Sequence, residues 1–146
     1  MKRRIMLAAL AALLGMSQAQ ARNTVATYSI EDALKGGAEK VGGDVRLYFA
    51  DQAHPAVLEQ HGAFATNKKT NAFGKSDLEA CQHVFLSAVI ELQERARKEG
   101  GNAVINIKSN YKNDLRASAT EFTCGAGAIM AGVALTGDVV TLRGGK

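Results

Sequence analysis

The chain predicts an α+β fold, one main amphipathic helix packed on a small, mainly antiparallel sheet. Three observations carry this. Ser76 to Glu99 has a single apolar stripe at helical spacing. Strand-like segments follow it one after another, without the strand–helix alternation of a parallel sheet. Finally, the chain beyond residue 21 has neither repeat nor linker and is the size of one domain with one core.

Before the helix the patterning is weaker. Asn23 to Gly43 reads as a lead-in, with Ser29 positioned to cap a short helix over Ile30 to Lys40 and Asp32 three residues on. Gly36-Gly37 weakens that helix and Gly42-Gly43 ends it. Asp44 to Ala50 has strand character, Val45, Leu47 and Phe49 alternating with Arg46 and Tyr48. His54-Pro55 breaks regular structure, because proline disfavours helical backbone in the residue before it. Gln60 to Lys75, rich in Asn, Lys and Gly, is expected to be a long exposed loop.

The main helix has a start and a stop. Ser76-Asp77-Leu78-Glu79 is a capping box, in which the Ser76 hydroxyl accepts from the Glu79 amide. Leu78, Cys81, Phe85, Ala88, Val89, Leu92 and Ala96 form the stripe. Glu91–Arg95 and Glu94–Lys98 are expected ion pairs one turn apart on the other side. Gly100-Gly101 supplies the left-handed stop.

Asn102 to Ser109 is the next strand, with Ala103, Ile105 and Ile107 predicted on one face. Asn110 to Ala117 is a polar turn region, and Ser118 to Cys124 a strand placing Thr120, Phe122 and Cys124 together. Gly125 to Leu135 carries no charge and admits two readings: a flat strand or turn approached closely by another backbone, or a small-residue packing surface for a second chain. Asp138 to Leu142 closes the sheet.

Residues 1–21 read as a secretory signal peptide. Lys2, Arg3 and Arg4 precede the uncharged apolar run Ile5 to Met16, and Ala19-Gln20-Ala21 is a small-x-small cleavage site. The run is shorter than the ~20 apolar residues that span a bilayer. The expected product is a soluble periplasmic domain, residues 22–146, cleaved after Ala21. No cysteine sits at that site to accept a lipid. Removing the three leader cations leaves 15 basic against 14 acidic residues, a net of +1 in place of +4. The basic balance of the full chain therefore reports the export signal and points to no nucleic-acid partner.

Cys81 and Cys124 are the only cysteines. Export, an even count, and a place on the helix stripe and on the Phe122 strand face favour one intramolecular disulfide. Closing 44 residues is worth up to ~4 kcal/mol in the chain-entropy model.

Several motifs lack the residues their chemistry needs. Gly74-Lys75-Ser76 before the helix invites a phosphate-loop reading, but Lys69 stands where the first glycine belongs. Ser76 is then a helix cap and Lys75 a solvated cation, and no nucleotide is expected. Gly125-Ala126-Gly127-Ala128 fails the dinucleotide pattern at Met130. His54, His61 and His83 fit no metal spacing, and no nucleophile elbow or paired buried carboxylates are present. No catalytic, cofactor or metal residue is nominated, and the chain is expected not to be an enzyme.

Two stretches carry a resemblance: Ala96-Arg97-Lys98-Glu99-Gly100-Gly101 running into Asn102-Ala103-Val104-Ile105-Asn106-Ile107, and the strand entering Cys124-Gly125-Ala126-Gly127-Ala128. In these the chain resembles the YbjQ-like domains, described as heavy-metal-binding, and the periplasmic domain of the Rcs envelope-stress sensor lipoprotein. Asp44 to Leu142 is also similar to a group of exported proteins labelled excinuclease-like, a label implying an ATPase for which this chain lacks the parts. The resemblance implies one helix on a small sheet. It carries over no function and no ligand set, and the sensor has more cysteines than this chain and a lipid anchor. The expected role is a non-enzymatic periplasmic interaction or envelope-stress accessory module, its partner another envelope protein or a second copy. The alternative is a metal-binding or hydrolytic periplasmic protein using His54, His61 or loop residues.

Overall fold

The computed structural model describes residues 22–144; the proposed leader, residues 1–21, and its cleavage after Ala21 lie outside the described residues. In chain order the elements are β1 (Thr24–Ser29), α1 (Ile30–Gly36), β2 (Arg46–Phe49), β3 (Val57–Asn71), α2 (Asp77–Glu99), β4 (Ala103–Tyr111), β5 (Asp114–Arg116), β6 (Glu121–Ala126) and β7 (Met130–Leu142). This is the α+β class, with a mixed and mostly antiparallel sheet.

The sheet is organised around β7. Along one edge it pairs with β3, from Asn71↔Met130 to Val57↔Leu142. The other edge is shared: β6 takes the start, at Ala126↔Ala131 and Gly125↔Gly132, and β4 takes the rest, from Ser109↔Leu135 to Ala103↔Val140. β1 pairs antiparallel with β6, β2 lies parallel to β4, and β5 folds back on β4. The sheet therefore forks along β7, and α2 packs on one face of it.

The fork is closed by aromatic packing and a covalent tie. Phe85 of α2 stacks on Phe122 of β6, ring centroids 4.1 Å apart, and meets Phe49 of β2 at 6.0 Å. Cys81 and Cys124 are disulfide-bonded with Cα atoms 5.9 Å apart, so the pairing expected from the sequence is present. Val84, Phe85, Val89 and Leu92 are fully buried on α2, each worth ~1.5–3 kcal/mol on removal from water. Gln93 is also buried, and its amide donates to the Gly42 and Val45 carbonyls at 2.8 Å, satisfying the polar head and holding the glycine loop on the helix.

Ser76 accepts from the Glu79 amide at 3.1 Å, and Gly100 ends α2 at φ 82°. Ser29 caps α1 through the Asp32 amide, but α1 stops at Gly36, short of Lys40, because Gly36-Gly37 ends it. Leu78 does not join the stripe: it is half exposed in the first turn. The expected Glu91–Arg95 pair is replaced, and no Glu94–Lys98 pair forms among the described residues. Glu91 meets Lys68 of β3 at 3.3 Å, Arg95 meets Glu99 at 3.2 Å, and the Arg95 guanidinium lies 4.2 Å from the Phe64 ring centroid. A strand running beside the helix competes for its charged side chains.

That strand is the main correction. The expected loop over Gln60 to Lys75 is mostly β3, 15 residues long. It is an edge strand with polar residues on both faces, so alternation is hidden. Register shifts beside Glu59 and Gly62, together with Lys68 and Lys69, blunt its free edge. β4 differs too. Asn106 at φ 53° sits in a register shift between Ile105 and Lys108, and the strand turns over there. Ala103 and Ile105 consequently point away from the helix, joining Val140 and Leu142 in a second small cluster under Tyr48 and Val57, while Val104 and Ile107 enter the main core. β6 begins at Glu121, three residues later than expected, because Ser118 accepts from the Thr120 and Glu121 amides in a turn.

Candidate functional site

Gly125 to Leu135 is the end of β6, a tight turn and the first half of β7. In the turn the Gly127 amide donates to the Met130 carbonyl at 2.8 Å, and the Ala72 amide donates to the Ile129 carbonyl at 2.6 Å. The turn is thus fixed to its own strand and to the end of β3. It is an unusual turn sequence: Ala-Ile-Met occupies positions that polar residues and glycine usually fill.

On the helix face of this hairpin, Cys124, Ala126, Ala131 and Val133 are buried in the core. The other face has no side chains at its centre. Gly125 and Gly132 are direct cross-strand partners, so they face the same side. The Tyr111 ring lies over them: a Cβ at Gly125 would overlap its phenol end, and one at Gly132 would come 3.4 Å from the ring. The Tyr111 hydroxyl donates to Asn23 Oδ1 at 3.3 Å. Two glycines thus make a floor that an aromatic ring half covers.

Beside that floor is a cavity of about 420 Å³, within the range of small-ligand sites. Tyr111, Gly125, Ile129, Met130 and Gly132 give it an apolar wall and floor, with Lys69 at the rim. Val25, Phe73, Leu78, Ile129 and Met130 are each at least half exposed. These are five of the seven large hydrophobics exposed among the described residues, the others being Leu58 and Leu115. The pairings Val25↔Gly125 and Asn71↔Met130 place Val25 and Met130 at one end of the sheet, and Phe73 follows the bonded Ala72. Leu78 follows Asp77, whose carboxylate receives the Arg22 guanidinium in two bonds of 2.8 and 3.0 Å. An apolar surface gathered this way marks an interaction site more often than scattered exposure does.

The charge at this end is positive and partly spent. The hydrogen bond from Arg22 holds the Asp77 carboxyl below its ordinary range, and the same bond raises the Arg22 guanidinium. Lys69 makes no ion pair among the described residues, and Lys112 lies 5.6 Å from the Tyr111 ring centroid. No acidic residue lines the cavity.

Of the residues singled out from the sequence, only Cys81 and Cys124 come together. Both are fully buried, which removes the bond from solvent. His54 is exposed and contacts the Pro55 carbonyl at 2.8 Å. His61 on β3 bonds Thr141 at 2.8 Å, and His83 is exposed on α2. Among the described residues no three His, Cys, Asp or Glu gather as a metal site. Lys75 is exposed, and Gly74 (φ 73°) turns the chain into the Ser76 cap. No helix among the described residues is long and apolar enough to cross a membrane. Tyr111 was not marked by any motif; Lys69 and Met130 entered only as the residues that break the phosphate-loop and dinucleotide patterns, and Ile129 and Met130 lie in the Gly125 to Leu135 stretch with its two readings. The signals that point to them are the glycines at 125 and 132 and an apolar tripeptide in the turn between.

No family model matches this chain, and neither a curated protein nor a solved structure matches it.

Proposed function

We propose that the protein is a non-enzymatic binding module of the bacterial periplasm, an accessory of envelope maintenance or stress sensing that engages another envelope component through its β6–β7 hairpin end. The observation that carries this reading is the cavity that exposed Ile129 and Met130 line beside Gly125 and Gly132, with Val25, Phe73 and Leu78 also exposed toward the same end of the sheet. A binding face needs exposed apolar area on a rigid support, and the turn bonds from Gly127 and Ala72 supply the support. Export through the leader and the disulfide support the compartment, since such bonds persist in oxidising surroundings. The kinship with YbjQ-like and stress-sensor domains is part of the proposal and rests on the sequence stretches quoted above.

A photo-crosslinking residue at Ile129, placed in the exported protein in cells, should give a discrete adduct that the same residue at Leu58 does not. Leu58 is equally exposed but belongs to the other end of β3. Adducts of equal yield at both positions, or at neither, would contradict the reading.

A further inference from the structure

We infer that the cavity beside Gly125 and Gly132 binds a single-chain amphiphile with an anionic head, the chain lying in the open space between Tyr111 and Met130 and the head at Lys69. The inference rests on the reading of the hairpin end as the binding face, and adds the class of ligand.

Three features select that class. Because two facing positions lack side chains, the Tyr111 ring seats directly on the sheet, and a slender occupant can lie along the flat ring in the open space beside it. Ile129 and Met130 flank it with aliphatic surface, and methionine adapts its shape to a flexible chain. The charged groups on the lining are Arg22, already paired with Asp77, and Lys69, which pairs with nothing among the described residues. With no acid beside it, the rim complements a negative head and repels a positive one.

The same geometry disfavours an extended peptide. Peptide recognition at a sheet draws on unpaired backbone groups. Here the Gly127 and Ala72 amides are already satisfied, by Met130 and Ile129, and Gly125 and Gly132 sit inside the β6–β7 pairing. A peptide laid on this floor would leave its own amides without partners, a cost that a hydrocarbon chain does not carry.

The test is calorimetric titration of the exported domain with decanoate, decyltrimethylammonium, and a short apolar peptide with a free carboxyl end, all below micelle-forming concentrations. Amide chemical shifts of Gly125, Gly127, Ile129 and Gly132 report the place of binding. Decanoate should bind roughly tenfold more tightly than the cationic chain, the size expected when a rim charge changes from attraction to repulsion. Lys69→Glu should erase or reverse that preference, and Ile129→Asp should weaken decanoate, with both variants keeping the wild-type melting temperature because both positions are exposed. The inference is overturned by equal affinity for the two heads, by a preference that Lys69→Glu leaves intact, by shifts elsewhere, by tighter binding of the peptide, or by no binding at all. A specific Ile129 crosslink alongside any of those results would leave the binding face standing and remove only the ligand class.

Discussion

The outer face of β7 ends in Val140 and Leu142 at one extreme and begins with Gly132 at the other, and the two halves are covered in different ways. Val140 and Leu142 are buried with Ala103 and Ile105 beneath Tyr48 and Val57, a small second core. Gly132 offers no side chain, so Tyr111 lies over it and the space beside it stays open. The strand, the face and the pairing with β3 are shared; side-chain volume is what differs. Where β7 supplies aliphatic groups the sheet gains stability on its second side, and where it supplies glycine it keeps a cavity. The helix face beneath the cavity carries a covalent tie: Cys124, one residue from Gly125, is bonded to Cys81 of α2.

The largest effect should come from cutting that tie. Replacing Cys81 and Cys124 together by alanine should cost about 3 kcal/mol and lower the melting temperature by roughly 10 °C, read by calorimetry, with the far-ultraviolet spectrum recognisable. A change of a degree or less would mean that the floor is held by packing alone.

Filling the floor comes next. Gly125→Ala places a methyl against the Tyr111 ring and should destabilise by about 1–2 kcal/mol. Tyr111→Ala in the same chain should recover part of that loss in a double-mutant cycle. Simple additivity would show that the ring does not rest on the glycine.

A smaller effect belongs to the helix start beside this end. Ser76→Ala should cost ~1 kcal/mol through the lost cap, whereas Lys75→Ala should change chemical-denaturation midpoints hardly at all. A melting shift on adding nucleotide, abolished by Lys75→Ala, would revive the phosphate-loop reading.

The smallest concerns the opposite end of α2. Hydrogen bonding from Arg97 holds the Asp44 carboxyl at about 2. A lowered folded-state value means that the carboxylate favours the fold above its unfolded value and that this support is lost as pH falls from the ordinary carboxylate range through about 2. Because the pair is exposed, the loss should be slight. Arg97→Ala should return the Asp44 titration, followed by NMR, to near its ordinary value; an unmoved titration would assign the shift to the local backbone.

The legible parts of this chain were those with a strong local signal. Helix α2 announced itself through Ser76, a stripe and Gly100, and the disulfide followed from two cysteines that the stripe and the Phe122 face brought toward one layer. β3 was hidden because an edge strand wets both faces: Glu59, Gln60, Asn67, Lys68 and Lys69 satisfy solvent, and Phe64 and Thr66 are too few to show a period. The turnover of β4 at Asn106 was hidden because a single residue at positive φ reverses every face assignment beyond it. The site itself was the hardest part to see. Its floor consists of side chains that are absent, and the ring that covers it comes from Tyr111, on a strand whose course depends on that same turnover.

The central question is whether the protein binds at its Gly125–Gly132 end and not at another surface. The direct measurement is a residue-by-residue map of amide shifts in the isotope-labelled domain as decanoate is added. The groove between α1 and β2, lined by Leu34, Leu47 and Phe49, serves as the internal control. Binding at this end should give saturable shifts at Gly125, Gly127, Ile129 and Gly132 with the control groove unmoved. Saturable shifts at Leu34 and Leu47, with the hairpin unmoved, would contradict it.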